Sequence, residues 1–376
     1  MNTKAAEPIR IGNITVKNRV TFAPTVKFDW TDETGVAIDR FRRHYEDRAK
    51  GGVGLICVEA TCVSPEGRLS PTQLGLWNDD QVPGHRAITE ACHKYGATVI
   101  VQLHHAGAAT HPACGEGEGP SAVERRGKTC KELTRERIRE IIAAFVSAAV
   151  RAKAAGYDGV QLHGCHSYLI NQFISPVMNL RTDEYGGSIE NRARFGCEIL
   201  RGIREKCGPD FLLSVRHSAG ESTLADCCAI AEEYVKAGAD YLQISDGIGP
   251  SEAEYPEGYP YGRVCWLGIQ VHEHFRGRVP VSVVNGIITP EQARTLIDQD
   301  LADTVDSARA LLADPNWARA VTDGADCVPC RDCRVCFWSP FMPHRCPAVK
   351  QRHDADPDCC DYTEDDRPIP DFAKKG

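Results

Sequence analysis

The sequence predicts a (β/α)8 barrel followed by a short cysteine-rich segment. Eight short apolar runs rich in β-branched residues alternate with longer amphipathic stretches, an order typical of a parallel barrel. A doubly wound sheet is the alternative, but no Gly-x-Gly-x-x-Gly follows an early strand. We therefore expect a barrel over residues 1–318, a cysteine-rich segment over 319–351, and an acidic tail over 352–376 that is extended or docked.

The eight apolar runs are the predicted barrel strands. Each is apolar on both faces, as expected of parallel strands that side chains fill on one face and helices cover on the other. The runs are Arg19–Pro24, Gly54–Ala60, Thr98–His104, Gly159–His163, Phe211–Arg216, Tyr241–Asp246, Val279–Asn285 and Thr304–Arg309.

Three helix starts are clear between these runs. Thr134 is the expected N-cap of a helix over Arg135–Ala155, and Ser188 opens a second helix. Thr289 followed by Pro290 predicts a third, because Pro is favoured at the first helical position.

Composition limits the function classes. A net charge of -8 argues against a nucleic-acid partner, which would need a basic face. No apolar run approaches membrane-spanning length, and the first residues lack the apolar region of a signal peptide. Eighteen cysteines without an export signal predict a reducing, cytoplasmic location.

The cysteine-rich segment predicts a metal cluster. Cys327, Cys330, Cys333 and Cys336 recur at every third residue, and Cys346 precedes a proline. Three thiolates with this spacing and a later Cys-Pro can bind a [4Fe–4S] cluster. A zinc site, which prefers two separate Cys-x2-Cys pairs, and unliganded thiols are the alternatives. Cys359-Cys360 has no evident ligand partners, so both are expected to be free thiols.

Residues at the strand ends predict a cofactor that carries a phosphate. Asn285-Gly286 and Ala308-Arg309 end the seventh and eighth strands, where barrel enzymes commonly bind phosphate. Gly allows close backbone approach, and Arg binds phosphate through two N–H groups. The cofactor's ring would lie near Gln102, Arg216 and His163; ordinary turn chemistry and a surface ion pair are the alternative.

His163-Gly-Cys-His166-Ser-Tyr168 holds the densest set of catalytic residue types. Two imidazoles can bind a carbonyl oxygen, and a phenol can deliver a proton. A His-x2-His zinc pair is the metal alternative, for which the sequence offers no evident third ligand. Structural histidines are a further alternative.

The stretch His163–Phe195 resembles the central signature of the old yellow enzyme family of FMN-dependent oxidoreductases. Asn18–Thr25, Val101–Gly107, Val284–Ala293 and Ala308–Pro315 match further family segments in the same order. The resemblance covers nearly the whole barrel, and it implies FMN as cofactor and a redox reaction.

The cysteine spacing narrows this resemblance. It is similar to the iron–sulfur branch that includes 2,4-dienoyl-CoA reductase, 2-enoate reductases and trimethylamine dehydrogenase. Those relatives continue into a large nucleotide-binding module, which we expect this chain to lack. Electrons would then come from an external donor such as ferredoxin, a flavoprotein or an NAD(P)H-oxidising partner. Homo-oligomer formation is left open.

The resemblance also implies residue roles. His163 and His166 would bind the oxygen of a small-molecule substrate, and Tyr168 would donate a proton. The isoalloxazine would be held by Pro24, Thr25, Ala60, Gln102 and Arg216, and the FMN phosphate by Asn285, Gly286, Ala308 and Arg309. The cluster ligands would be Cys327, Cys330, Cys333 and Cys346, with Cys336 as the spare.

Three departures from the family bear on the activity. Val26 lies near the position where the amine dehydrogenases carry a flavin-linking Cys, so FMN should be non-covalent. Those enzymes also have Tyr where His163 stands, which favours a reductase. Ser251 replaces a second catalytic His of the dienoyl-CoA reductases, so proton delivery would depend on Tyr168 alone.

The expected reaction is therefore reduction of an activated C=C bond in an enone, enoate or enoyl thioester. Flavin-dependent C–N oxidation, with the cluster as electron exit, is the alternative. Amine substrates would call for an aromatic cage. Four aromatic residues crowd one loop and supply either such a cage or ordinary packing: Tyr255, Tyr259, Tyr261 and Trp266.

Overall fold

Eight parallel strands close into a barrel, which confirms the predicted fold. The computed structural model describes residues 2–125, 128–220, 223–248, 254–333, 336, 338, 346–359 and 361–362. The barrel strands coincide with the eight predicted runs. They are β1 (Val20–Phe22), β2 (Leu55–Cys62), β3 (Thr98–His104), β4 (Gly159–Gly164), β5 (Leu212–Ser218), β6 (Tyr241–Ser245), β7 (Val281–Val283) and β8 (Thr304–Ser307).

Helices follow the strands around the outside, and the three predicted helix starts are confirmed. The side chains of Thr134 and Ser188 accept from the N–H groups of Arg137 and Asn191, and Thr289 forms a capping box with Gln292. The helices are α1 (Asp39–Lys50), α2 (Val82–His93), α3 (Arg135–Ala154), α4 (Leu169–Ile174), α5 (Ile189–Cys207), α6 (Leu224–Lys236), α7 (Arg263–Phe275), α8 (Pro290–Asp298), α9 (Arg309–Ala313), α10 (Trp317–Thr322) and α11 (Pro347–Ala355).

An N-terminal hairpin closes the bottom of the barrel. Ile9–Ile11 pairs antiparallel with Ile14–Val16, and its apolar side chains pack against residues near the strand starts. Leu55, Ile100 and Tyr241 belong to this buried cluster. The barrel is thus sealed by apolar contacts at the end opposite the predicted site.

The loop between β3 and α3 has short pairings of its own. Glu118–Gly119 pairs parallel with Lys131–Glu132, and Glu124–Arg125 pairs antiparallel with Lys128–Thr129. This loop therefore folds back on itself beside the mouth of the barrel.

The described part of the acidic tail is docked on the barrel. The Asp361 carboxylate lies 2.6 Å from His44 Nδ1 and 2.7 Å from the Arg48 guanidinium, and all three side chains are fully buried. Helix α11 crosses the predicted boundary after residue 351, so the cysteine-rich segment and the tail are continuous there.

Two smaller predictions concern the cysteines and the membrane. None of the described cysteines forms a disulfide; Cys359 Sγ accepts from Arg352 at 3.2 Å, and Cys360 lies outside the described residues. Among the helices that the structure describes, none combines the length and apolarity needed to cross a bilayer.

Candidate active site

Three imidazoles form a hydrogen-bonded chain at the mouth of the barrel. His104 ends β3, His163 lies in β4, and His166 follows β4. The Nδ1 atoms of His104 and His163 are 3.0 Å apart, and His163 Nε2 is 2.9 Å from His166 Nδ1. His166 Nε2 lies 2.7 Å from the Ser245 hydroxyl at the end of β6. We call these four residues the histidine chain.

The turn after β4 places Tyr168 beside this chain. His166 and Ser167 adopt left-handed backbone conformations, with φ of 60° and 65°, and the Ser167 N–H donates to Asn171 Oδ1. The Tyr168 ring centroid then lies 4.5 Å from that of His104 and 4.8 Å from that of His163. The structure thus brings together the three residues predicted to act on the substrate.

Burial keeps the imidazoles of the chain neutral. It lowers the pKa of His104 and of His163 well below the usual value, helped by the neighbouring imidazoles. Burial, with the Arg216 guanidinium nearby, lowers the pKa of His166 to about 3. Each ring therefore carries one N–H and one bare nitrogen at neutral pH, and it acts as a hydrogen-bond donor rather than a cation.

Cys165 would be the third ligand of a metal site at these histidines, and the sequence analysis did not find it. Its Sγ and one nitrogen each of His163 and His166 all lie within 4.8 Å of one another. Zinc would have to displace the hydrogen bonds by which both imidazoles are already held. We therefore retain the substrate-binding interpretation.

A layer of side-chain amides lies inside the barrel. Gln102 Nε2 donates to Gln161 Oε1 at 2.7 Å, and Gln161 Nε2 donates to Gln243. Gln243 Nε2 in turn donates to Asp306 Oδ1 at 2.8 Å. Burial raises the pKa of Asp306 to about 7, although Arg216 opposes the shift.

A cavity of about 270 Å³ opens above this layer on the β5–β8 side. Arg216 donates no hydrogen bond to any described residue, and its buried Nε lacks a partner, as does Asp306 Oδ2. Predicted site residues make up much of the lining: His166, Arg216, Asn285, Gly286, Ala308 and Arg309. A second cavity, of about 610 Å³ between α6 and α7, contains none of them.

The 270 Å³ cavity on the β5–β8 side fits the phosphate-bearing cofactor that the sequence predicts. The unpartnered Arg216 Nε can donate to an acceptor on the cofactor's ring. At Gly286, φ is 76°, and an added Cβ would lie 2.3 Å from the Gly262 nitrogen, so only Gly fits there. Arg309 at the cavity wall forms an ion pair with Asp332, the kind of contact that the alternative interpretation of this arginine expects.

The other residues predicted to hold the ring lie along β1–β3. Pro24 and Thr25 follow β1, Ala60 lies in β2 and Gln102 in β3, so they do not line the same cavity. Lys27 fixes the backbone of Thr25, because Lys27 Nζ donates to the Thr25 carbonyl oxygen at 2.5 Å. Lys27 is itself buried, 3.4 Å from the Glu59 carboxylate.

The aromatic residues of the loop before α7 contact one another and Trp266, which lies in the first turn of α7. Tyr259 packs against Tyr255, Tyr261 and Trp266, with ring centroids 5.1–6.1 Å apart. Trp266 Nε1 donates to the Glu254 carbonyl at 2.8 Å. This arrangement agrees with the packing alternative rather than with a cage.

The cysteine-rich segment groups its thiols differently from the predicted set. Cys346 raises the pKa of Cys336, and Cys330 and Cys333 raise that of Cys346, each as a smaller effect than burial. The pKa of Cys327 is instead raised by burial and by the carboxylates of Asp314, Glu291 and Asp326. Among the described residues, these cysteines do not form a group of three or more ligand atoms within 4.8 Å of one another, so the structure does not assemble the predicted ligand set.

Several residues of the site escaped the sequence analysis. Gln161, Gln243 and Asp306 are polar residues inside runs that otherwise read as buried strands, which is the signal that could have found them. Ser245 gives no such signal, because its role depends on where His166 lies. Ser251, predicted to replace a catalytic His, lies outside the described residues.

Both the sequence and the structure of this chain are similar to those of known oxidoreductases. Residues 6–326 match the NADH:flavin oxidoreductase / NADH oxidase family, so the match ends just before Cys327. The chain is 39% identical to NADH oxidase of Thermoanaerobacter brockii over 85% of its length and 52% of the relative's. It is 36% identical to NADPH dehydrogenase of Bacillus licheniformis, over 85% of this chain and 94% of that protein.

The structure of this chain also superposes on solved structures of reductases. The complex of 2-naphthoyl-CoA reductase with 2-naphthoyl-CoA superposes with a TM-score of 0.80 and 30% identity, over 88% of this chain and 54% of that one. Morphinone reductase with bound tetrahydroNAD gives 0.72 and 28%, over 86% and 92%. The chain therefore spans about half the length of the NADH oxidase and the naphthoyl-CoA reductase, and nearly all of the other two relatives.

Proposed function

The chain belongs to the NADH:flavin oxidoreductase / NADH oxidase family and is an FMN-dependent oxidoreductase, and we propose that it reduces an activated carbon–carbon double bond. The observation that carries this proposal is the pair of neutral, buried imidazoles of His163 and His166, which meet at 2.9 Å beside Tyr168. An oxygen conjugated to the double bond can accept hydrogen bonds from both rings.

The two imidazoles bind and polarise the substrate. Each contributes one N–H to the oxygen of the carbonyl, carboxylate or thioester group, where negative charge develops as the double bond is reduced. A donor of this kind typically contributes about 3–4 kcal/mol, so losing either imidazole lowers the rate roughly 10²–10³-fold. Tyr168 supplies the proton to the α-carbon from its phenol.

FMN, when bound, supplies the hydride. Its ring would be held by Pro24, Thr25, Ala60, Gln102 and Arg216, and its phosphate would be held by Asn285, Gly286, Ala308 and Arg309. The partnerless Arg216 Nε and the cavity that Asn285, Gly286, Ala308 and Arg309 line together support this placement. The names of the curated relatives support NAD(P)H as the source of electrons, delivered directly or through a partner protein.

A direct test uses the purified protein under anaerobic conditions. Its visible spectrum is recorded alone, after dithionite, and after a simple cyclic enone. Flavin bands that dithionite bleaches and the enone restores are expected. A flavin that is bleached but ignores enone, enoate and enoyl thioester acceptors would overturn the proposal and favour C–N oxidation.

Tyr168→Phe separates the two half-reactions. Reduction of the flavin should be unchanged, and its reoxidation by the enone should slow roughly 10²–10⁴-fold, the usual contribution of a general acid. Stopped-flow absorbance measures both rates. Equal loss in both half-reactions would remove Tyr168 from its assigned role.

We also propose that the cysteine-rich segment holds a [4Fe–4S] cluster that relays single electrons to the flavin. Cys330, Cys333 and Cys346 are common to both ligand sets, and the mutual effects of the thiols support Cys336 as the fourth. Cys336→Ser should lower the iron content and the broad iron–sulfur absorbance, whereas Cys327→Ser should retain both. The opposite pattern would restore the set that includes Cys327, and absence of iron from the wild-type protein would overturn the cluster.

A further inference from the structure

His104 has no role in the proposed reaction, yet it is within hydrogen-bond distance of the imidazole of His163. Its side chain is fully buried at the end of β3, with Nδ1 3.0 Å from His163 Nδ1. Its Nε2 has no hydrogen-bond partner among the described residues. The pairing follows from strand register, because Leu103 lies opposite Leu162 and the next residues on each strand are the two histidines.

The protons of the histidine chain can be counted. Each neutral imidazole carries one N–H, and each nitrogen–nitrogen contact needs one donor and one acceptor. If His104 donates from Nδ1, then His163 accepts at Nδ1 and carries its proton on Nε2. If His163 donates to His104 instead, its Nε2 is bare and cannot donate to a substrate oxygen.

We infer that His104 is a positioning residue: by donating its Nδ1–H it fixes His163 in the Nε2–H tautomer that binds the substrate oxygen. The inference rests on the proposed function, because it names the residue that makes one of the two oxygen donors available. This proton order also leaves the partnerless Nε2 of His104 without a proton. The opposite proton order would leave an N–H there, buried without an acceptor.

The other end of the chain is adjustable. In the structure His163 Nε2 and His166 Nδ1 face each other, so only one of them donates across that contact. When an oxygen enters between them, both must donate, and His166 must move its proton from Nε2 to Nδ1. Ser245 permits this, because a hydroxyl can accept from Nε2 before the change and donate to it afterwards. His104 fixes one donor, and Ser245 lets the other adjust.

Leu and Asn at position 104 provide a matched pair. The two side chains have nearly the same size and shape, and both lose the ring that packs against Tyr168, but only Asn keeps an N–H near the position of Nδ1. His105→Asn is the control for removing a buried imidazole, since His105 is also buried but is not hydrogen-bonded to the chain.

The primary measurement is ¹⁵N NMR of histidine-labelled holoenzyme, with the His163 signals assigned by their loss in His163→Gln. Bare and protonated imidazole nitrogens have well separated shifts. We expect His163 to be protonated on Nε2 in the wild type, in His104→Asn and in His105→Asn. In His104→Leu we expect a mixture or the Nδ1–H form.

The second measurement is reoxidation of the reduced flavin by a cyclic enone. His104→Leu should slow it by up to roughly 10²-fold, the usual cost of losing one donor to a developing oxyanion, and His104→Asn should recover at least tenfold. A wild-type His163 protonated on Nδ1, or an unchanged tautomer in His104→Leu, overturns the inference. Equal reoxidation rates in His104→Leu and His104→Asn also overturn the inference. Failure of the wild-type enzyme to reduce any acceptor would instead refute the proposed function and leave the tautomers measurable.

Discussion

Two buried groups of ionisable side chains in this barrel are built in opposite ways. In the first, the ionic cluster of Lys27, His44, Arg48, Glu59 and Asp361, each cation has a carboxylate within 2.7–3.4 Å. In the second, at the mouth, Arg216 has no hydrogen bond to a described residue, and Asp306 has one oxygen without a partner. The charged groups of the ionic cluster pair with one another within the fold, whereas the Arg216 guanidinium at the mouth has no such hydrogen-bonded partner and could gain one from a ligand.

Removing one member of the ionic cluster should have the largest effect. Asp361→Asn leaves Arg48 buried without a carboxylate, so the free energy of unfolding should fall by about 3–5 kcal/mol. Urea denaturation measures this. Asp358→Asn, at a nearby exposed carboxylate, should change it by less than about 0.5 kcal/mol. Equal effects of the two substitutions would show that the tail is not held by Asp361.

The second prediction concerns the carboxyl at the mouth. Burial raises the Asp306 pKa from 3.8 to about 7, so the folded protein keeps a proton there that the unfolded chain releases above about pH 4. This group therefore stabilises the fold most at low pH, and its contribution declines as pH rises from 4 to 7. The decline should be about 4 kcal/mol, because the folded and unfolded pKa values differ by about 3 and one pKa unit corresponds to about 1.4 kcal/mol.

Asp306→Asn should abolish that contribution. The wild-type protein would lose stability relative to the variant between about pH 4 and pH 7, as measured by denaturation of the two apoproteins in parallel. A difference in stability that does not change with pH would mean that Asp306 is ionised throughout, as the ionic cluster's Asp361 is.

Arg216→Met should have the smallest effect on folding and the clearest effect on binding. No hydrogen bond to a described residue is lost, so the apoprotein should unfold at nearly the same urea concentration. FMN should bind more weakly by about 1.5–3 kcal/mol, or roughly 10–150-fold, the usual value of a hydrogen bond to a charged group. Titration followed by flavin fluorescence measures this.

Arg204→Met is the matched control. Arg204 donates to four carbonyl oxygens and to Asp240, all away from the cavity. The substitution should destabilise the apoprotein and leave FMN affinity unchanged. If both variants lost stability to the same extent, Arg216 would stabilise the fold, as the ionic cluster does, rather than bind the ligand.

The barrel was predictable because its signals are local. Each strand is a β-branched run, and the helix caps at Thr134, Ser188 and Thr289 act within three residues of the cap. The residues near the strand ends followed from the geometry of parallel barrels, and the structure places His163, His166 and Tyr168 together as expected.

What sequence could not provide depends on distant contacts. His104 meets His163 only because of the register between two strands separated by 59 residues, and Asp361 reaches His44 across 317 residues. No residue pattern near either position indicates its partner. The choice between Cys327 and Cys336 was ambiguous for a related reason: equal spacing along the chain does not specify which thiols fold toward Cys346.

The hairpin beneath the barrel has a consequence for how small molecules enter and leave the site. Because Ile9, Ile11 and Val16 pack against the strand starts, in the part of the chain that the structure describes a small molecule reaches the histidine chain from the opposite end of the barrel. Two reactants that both need this space must visit it in turn, and each must depart before the next arrives. A barrel whose reactants share one approach to the site thus requires them to bind alternately.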